Sequence, residues 1–514
     1  MPKKFFLTVT GASLIIIFFG GINKILGMFR EIIFAHSFGL RQSYELYLLS
    51  IVIPTVINTF ILYVGQNFFI PQYNKTKNQH GENDARIFFN KALALFFILS
   101  LLTAFALFLL TDNILKLFTS GLAVSEFFIA KKILQIILLT IPLNGLIAII
   151  SAYLQAEFDF KNAFVSQLFL NLSIIVVVLV FTAKYNIYSI PIGFFIGTLL
   201  QAGYLFMFAR SKIHLQDLVH GKIGFFKEFP VQIFFITIFI ELLGQLYIFI
   251  DRLFYSSVQQ GGIAALNYAT TVYLIPISIL SMAFSTAIFP KFSETFSAGK
   301  IHETEDSFYT SLRITFFFFV PSAIVFIFYA QPVIEIFFHR GVFNDRDVTM
   351  TAEVLKIFGL SLVFFAAYAI INKLLFGIAA VKLLLLSSLT VIVIKITASL
   401  FLVEKYQQNG LAAASSLSYF FYFIFGMAIV LKKLHFKKMN LLFESFLLSC
   451  VNATVSFLVV ELFSQYLFPI GSFISLLKIC LFFIVYLVNA LMIKDETMNI
   501  AKDLLTKTWK YIYE

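Results

Sequence analysis

Fourteen mostly apolar stretches, most of them 20 residues or longer, follow one another along this chain. They lie at about 8–36, 44–70, 87–111, 130–155, 163–183, 189–209, 229–255, 264–289, 310–333, 351–376, 383–403, 411–431, 442–465 and 472–493. About 20 such residues cross the hydrocarbon of a bilayer as a helix. Backbone amides in hydrocarbon have no water to bond, so runs of this length must be helices. The pattern predicts an all-α polytopic membrane protein of about 14 transmembrane helices. Composition agrees: 60% of the residues are hydrophobic and 13% charged, against about 25% charged in soluble domains. A soluble globular fold, a disordered chain and a secreted disulfide scaffold are thereby excluded.

The start, MPKKFFLTVTGASLIIIFFGG, has the basic-then-apolar order of a signal peptide. No small-x-small cleavage site follows, and the helical register continues, so a first membrane helix is the expectation. Cys450 and Cys480 lie inside apolar runs, which predicts two buried thiols and no disulfide.

Orientation follows from Lys and Arg in the loops. A cytoplasmic N-terminus puts twenty-one of them on the inner side, among them Lys75, Lys77, Arg86, Arg210, Lys212, Lys432 and Lys438, and eight on the outer side. The chain is therefore expected to run N-in and C-in. Much of the net charge of +11 is then a topology signal facing anionic headgroups, and no nucleic-acid partner is invoked. The long inner loop at 211–228 mixes apolar and basic residues and is expected to lie on the membrane surface. It would link an N-terminal lobe (1–210) to a C-terminal lobe (229–432). Helices at 433–493 and a basic tail at 494–514, bearing Trp509 as an interfacial anchor, complete the chain.

An internal repeat supports two lobes. Phe29-Arg30-Glu31 and Ile250-Asp251-Arg252 are each expected to end a helix, and each Arg precedes an Ile-Pro pair by the same interval: 24 residues to Pro54 and 24 to Pro276. Pro71 and Pro290 then precede similar polar loops, although the intervals between the prolines differ, 17 against 14. An offset near 222 spans six helices, so the lobes form a parallel pseudo-repeat, the kind of transporter that binds cargo between its lobes.

Ionisable residues within spans cost at least a few kcal/mol and are functional candidates. The first helix carries Lys24, Arg30 and Glu31, with Gly20, Gly21 and Gly27 available as bending points. Lys24 and Glu31 share a face, and Arg30 lies about 120° round a straight helix. Two readings stay open: a cationic lining for a phosphate, or a local ion pair with an arginine reaching for the surface. Glu45, Glu241, Lys373 with Asn372, Lys395 and Glu461 are further candidates, and Asp251 with Arg252 is expected to be a structural ion pair. Pro54 and Pro276 are candidate kinks.

Catalytic signatures are thin. The seven His are scattered without metal-ligand spacing, and no Walker or dinucleotide glycine pattern is present. No cofactor, metal or enzymatic activity is expected. Asp345-Arg346-Asp347 is an acidic D-x-D on the outer side, the single feature on which a glycosyltransferase reading could rest.

The segments KILGMFREIIFAHSFGL (24–40), SAYLQAEFDFKNAFVSQLFLN (151–171), IDRLFYSSVQQGGIAALNYA (250–269), AIFPKFSETFSAGK (287–300) and FFHRGVFNDRDVTMTAEVL (337–355) resemble the MviN/MurJ family. Its members are lipid II flippases of the multidrug/oligosaccharidyl-lipid/polysaccharide exporter superfamily. The resemblance implies two six-helix lobes around a cationic cavity. It implies a groove for the lipid tail on helices thirteen and fourteen. The implied activity is movement of undecaprenyl-pyrophosphate-linked disaccharide-pentapeptide from the inner to the outer leaflet of the bacterial cytoplasmic membrane, with membrane lipids and peptidoglycan or polysaccharide synthesis enzymes as surroundings. Lys24 and Arg30 fall on the family's two basic positions of helix one, Glu45 on the acidic position opening helix two, and Lys373 on a basic position of helix ten.

Four positions depart from that pattern: Asn58 replaces a basic residue, Thr270-Thr271 an acid-base pair, and Leu274 an acid before Pro276. A less polar cavity is implied, which keeps another polyprenyl-linked oligosaccharide as an alternative cargo. A cation-coupled drug exporter is a weaker alternative, disfavoured by the cationic first helix. The coupling ion or membrane potential that would drive transport leaves no signature in these residues.

Overall fold

The computed structural model describes residues 9–118, 122–218, 231–378, 380–467 and 472–498. Each expected span falls on one helix or on adjoining helices. In chain order these are α1 (Val9–Phe38), α2 (Gln42–Ser50), α3 (Val52–Val64), α4 (Ile70–His80), α5 (Glu82–Leu109), α6 (Thr111–Lys116), α7 (Val124–Leu138), α8 (Thr140–Ala156), α9 (Phe160–Tyr185), α10 (Ser189–Ala209), α11 (Val231–Leu253), α12 (Gly262–Ser297), α13 (Ile301–Phe328), α14 (Ala330–Phe338), α15 (Asp345–Gly377), α16 (Val381–Leu434), α17 (Met439–Leu467) and α18 (Ser472–Met492). No strand occurs among the described residues. Nine helical segments there are long and apolar enough to cross a membrane. α16 holds two expected spans, with Gln407 at φ 50° marking the turn between them.

Three spans are broken at the residue three before a proline: Ile51 before Pro54, Leu139 before Pro142, and Tyr329 before Pro332; a further break, at Leu110 between α5 and α6, has no such proline. A proline has no N–H to give the carbonyl four residues back, and its ring crowds that carbonyl. The break therefore falls one turn upstream. Pro276, in contrast, lies inside the continuous α12, and α1 is unbroken at Gly20, Gly21 and Gly27. Arg30 and Glu31 do not lie at a helix end; α1 continues through the apolar IIFAHSF to Phe38.

The two polar loops of the repeat are largely helical. α4 runs to His80 and α5 starts at Glu82, with Gly81 between them at φ 89°. α12 runs to Ser297 and α13 starts at Ile301, with Gly299 at φ 71°. That left-handed backbone suits glycine, so each loop reduces to a helix, a glycine corner and a helix. Residues 212–217 of the linker fold back onto α5. Buried Asn90 donates to the Lys212 carbonyl (2.9 Å) and to Asp217 (2.8 Å) and accepts from the His214 N–H (3.2 Å), while Arg86 Nε donates to Asp217 (3.0 Å). The rest of the linker (219–230) and Trp509 lie outside the described residues. Cys450 and Cys480 are both free, as expected, but Cys480 is exposed and Cys450 half-buried, because the faces they occupy are turned outward.

Contacts divide the chain into two compact units, Met1–Ala264 with Arg340–Phe343, and Ala265–His339 with Asn344–Glu514. In the first, α9 and α10 form a close hairpin. A Cβ on Gly193 would stand 2.9 Å from the Ile174 Cα, and one on Gly197 2.9 Å from the Leu170 carbonyl oxygen. Small residues four apart let backbones approach where no hydrophobic effect drives helices together. In the second unit, α15 packs on α13 and on α16, and Tyr368 stacks on Tyr422 with centroids 4.3 Å apart. Gly193→Val is expected to cost about 1–3 kcal/mol by overpacking, and Gly197→Leu a similar amount. A fall in the thermal unfolding midpoint of the detergent-purified protein, followed by fluorescence-detected size exclusion, checks this.

Candidate functional site

Arg30 leaves α1 towards the α9–α10 hairpin. Its guanidinium Nη2 lies 2.8 Å from Glu31 Oε1 and its Nη1 donates to Asn171 Oδ1 at 3.3 Å. It also sits over two rings, Phe34 at 5.7 Å and Phe194 at 5.6 Å from the centroids. The other Glu31 oxygen accepts from the Tyr44 hydroxyl at 3.3 Å. Arg30 and Glu31 are half-buried. The arrangement is an ion pair beside two aromatic rings: α1 contributes Arg30, Glu31 and Phe34, α2 Tyr44, α9 Asn171 and α10 Phe194. Of the two open readings, the local ion pair is present; the arginine, however, is held within the first unit by Asn171 and Phe194. Asn23, one residue before Lys24, donates to the Phe164 carbonyl at 3.1 Å and so ties α1 to α9 again. Lys24 itself is exposed on α1, about 9 Å along the axis from Arg30 at 1.5 Å per residue.

Glu45 has a different neighbourhood. It is 1% exposed, and its carboxylate accepts backbone N–H groups of Gly261 (2.9 Å), Ile263 (2.9 Å) and Ala264 (3.3 Å). These are donors at the start of α12, which a helix cannot satisfy internally. The carboxylate therefore occupies the anion position that a helix N-terminus offers. Arg252 is buried beside this turn and donates to the Ile263 carbonyl at 3.3 Å, and Asp251 adds its field to Arg252.

The other expected site residues are spread. Lys373 and Asn372 lie half-buried on α15, and the Asn372 Oδ1 is buried without a hydrogen bond. Glu241 lies on α11, and its side chain falls outside the described residues. Lys395 is 1% exposed on α16. Where the family pattern expects charge, Thr270 and Thr271 return their hydroxyls to carbonyls of their own helix, Leu266 at 2.6 Å and Asn267 at 3.0 Å. The Asn58 Oδ1 is buried without a partner, and Leu274 is exposed.

Asp345 and Asp347 have structural uses. Asp347 and Asn344 form a capping box at the start of α15, with Asp347 N–H donating to Asn344 Oδ1 at 3.1 Å. Asp345 lies 3.2 Å from His339 Nε2. No cluster of three or more metal-ligating side chains occurs among the described residues.

A small polar pocket of about 50 Å³, open to solvent, has no counterpart among the charged span positions. Tyr73, Lys77, Glu82, Arg86, Phe89, Tyr153, Glu157 and Lys212 line it. Lys77 Nζ reaches both Glu157 oxygens (2.7 and 2.9 Å), and the Tyr73 hydroxyl donates to the same carboxylate (2.7 Å). Burial pushes the Glu157 pKa up, but the hydrogen bonds from Lys77 and Tyr73 outweigh it and hold the carboxyl below its ordinary value. The signal was the polar stretch after Pro71, whose partner lies 80 residues on.

Solved structures supply the fold comparison. An inward-facing multidrug resistance MATE family transporter of the MOP superfamily has a TM-score of 0.69 at 14% identity, over 80% of this chain and 94% of that one. A structure of lipid II flippase MurJ in an inward closed conformation has a TM-score of 0.78 at 24% identity, over 93% of this chain and 98% of that one. The fold and its apolar helices thus define a multi-span membrane protein with the architecture of these transporters. The family model described as lipid II flippase MurJ matches residues 34–498, and the chain belongs to that family. Relatives include a probable lipid II flippase MurJ of Buchnera aphidicola subsp. Acyrthosiphon pisum, 26% identical over 88% of this chain and 90% of the relative. Another, of Rickettsia prowazekii, is 25% identical over 90% and 91%. A lipid II flippase MurJ of Thermosipho africanus is 25% identical over 77% and 80%.

Two outcomes test these local arrangements. Glu45→Ala leaves the N–H groups of residues 261, 263 and 264 without their acceptor and is expected to lower stability by about 1–3 kcal/mol. Glu45→Gln keeps one acceptor oxygen and loses less; thermal midpoints rank the two. Glu157, with its depressed folded pKa, stabilises the fold above the ordinary carboxylate range, and that contribution is lost as pH falls through the folded value. Unfolding midpoints over an acid titration are expected to fall less steeply for Glu157→Gln than for the parent.

Proposed function

We propose that this protein moves undecaprenyl-pyrophosphate-linked peptidoglycan precursor, lipid II, from the inner to the outer leaflet of a bacterial cytoplasmic membrane by alternating access, with both termini in the cytoplasm. The observation that carries this reading is the family match over residues 34–498. The excess of Lys and Arg in alternate loops supports the orientation.

A pyrophosphate entering hydrocarbon alone loses its hydration at a very large cost. Fixed cations replace that hydration with charge-assisted hydrogen bonds. Arg30 offers a fork that can hold two phosphate oxygens, and exposed Lys24 a mobile point charge. Phe34 and Phe194 keep the guanidinium plane in place. When a phosphate takes the fork, Glu31 gives up its ion pair but keeps the Tyr44 hydroxyl. Exchange of one anion for another costs less than creating a cation site from nothing. The prenyl tail remains in lipid throughout. No covalent step is needed, so the reading is of a transporter.

A second reading, a different polyprenyl-linked oligosaccharide, is favoured by one observation. The Thr270 and Thr271 hydroxyls are turned into their own helix, so this position offers the headgroup no charge. Complementation of a strain depleted of its lipid II flippase decides, with lipid II leaflet accessibility as the readout. The parent is expected to rescue growth. Arg30→Ala is expected to insert normally yet lower translocation at least tenfold, and Arg30→Lys to retain part of it. Full rescue by Arg30→Ala removes Arg30 from the mechanism; failure of the parent to rescue favours the other glycan.

A further inference from the structure

Helix α13 is tied to the C-terminal pair α17 and α18 at three depths. At the first, buried Arg313 sends all three guanidinium nitrogens to the chain just beyond α18, its Nη1 also reaching the Tyr309 hydroxyl at 3.5 Å. Its Nη2 lies 2.9 Å from Asp495 Oδ1, its Nε donates to Thr497 Oγ1 at 3.0 Å, and its Nη1 donates to Glu496. Asp495 also takes the Thr497 N–H (2.8 Å) and hydroxyl (2.7 Å), which fixes the acceptor.

At the second depth, Pro321 within α13 has no N–H to give the Phe317 carbonyl. The Tyr486 hydroxyl of α18 donates to that carbonyl at 2.9 Å. The vacancy left by the proline and the donor that fills it lie on different helices. At the third, Tyr329, immediately after α13, donates to Glu461 of α17 at 2.6 Å, and Lys478 of α18 lies 3.5 Å from the same carboxylate. α17 and α18 are joined in turn by Asn452 donating to the Tyr486 carbonyl (3.2 Å) and Asn489 to Ser456 (3.0 Å).

From Arg313 to Tyr329 the ties cover about 24 Å of helix at 1.5 Å per residue, most of a hydrocarbon core about 30 Å thick. Sliding or opening α18 against α13 would leave the Phe317 carbonyl and the Tyr486 hydroxyl without partners in a medium that supplies none, and would break the Arg313 ties at the helix end.

We infer that α13, α17 and α18 form one rigid block, so that a lipid tail lying on the C-terminal pair travels with the second unit and is never gripped or released by movement of that pair against α13. The part concerning the tail rests on the proposed flippase function; the rigidity does not.

The test is a spin-label distance in the full chain. Cys450→Ser and Cys480→Ser clear the background, and Phe318→Cys on α13 and Ile484→Cys on α18, both exposed, carry the labels. In proteoliposomes the labels are expected to give one narrow distance that added lipid II leaves unchanged. The double variant Arg313→Gln with Tyr486→Phe is expected to broaden it at least twofold. Two populations in the labelled parent, or a shift of its distance on adding lipid II, overturns the inference. If the double variant does not fold, the parent measurement decides alone. Lipid II translocation by the same labelled parent is scored separately. Its absence counts against the flippase reading, while the distance still decides the rigidity.

Discussion

Inside hydrocarbon a polar group has no water to fall back on, so each one must find its partner within the protein. Much of the architecture described above follows from that. It makes every long apolar run a helix, and it turns each proline into a local problem with a local solution. At Pro54, Pro142 and Pro332 the helix stops and restarts. At Pro321, where it continues, a tyrosine from another helix donates to the carbonyl that the proline leaves open. The same pressure explains why Asn90, Asn452 and Asn489 each join two segments.

The pressure also shapes the charged groups of the first unit. Arg30 is a half-buried cation whose neighbours are an adjacent carboxylate, an amide oxygen and two ring faces. That set neutralises the guanidinium at rest without enclosing it. Glu45 shows the opposite arrangement: its carboxylate is closed off by backbone donors from a helix start. Two acid-bearing positions fourteen residues apart on neighbouring helices thus differ in availability. Glu31 can exchange its partner, whereas Glu45 cannot do so without undoing a turn.

The helices were legible because hydropathy and length specify them almost alone; α10 was expected at 189–209 and ends there. The breaks at Leu139 and Tyr329 leave no hydropathy signal, since Pro142 and Pro332 sit within runs that stay apolar on both sides. The polar stretches after Pro71 and Pro290 look like loops by hydropathy, although Lys, Gln, Asn and Glu are compatible with a helix and only Gly81 and Gly299 mark the corners. Arg30 was identifiable as a charge in a span. Its partners Asn171 and Phe194 were not, because nothing local links residues 141 and 164 positions apart. Glu45 is identifiable as a charge opening a span, but its hydrogen bonds go to main-chain amides more than 200 residues downstream, which no local pattern reports. Periodicity reports which face is apolar; it does not report which distant backbone a side chain completes.

That last contact sets an order on biogenesis. Glu45 and the amide of Gly261 are 216 residues apart, so the carboxylate leaves the ribosome long before its donors exist. Until the eighth span is threaded into the bilayer, the carboxyl near the mouth of the second has to stay hydrated or take up a proton. The finished amino-terminal half therefore acquires its native electrostatics only when translation has passed the midpoint of the message. A chain truncated before residue 261 would carry that carboxyl with no native amides to receive it.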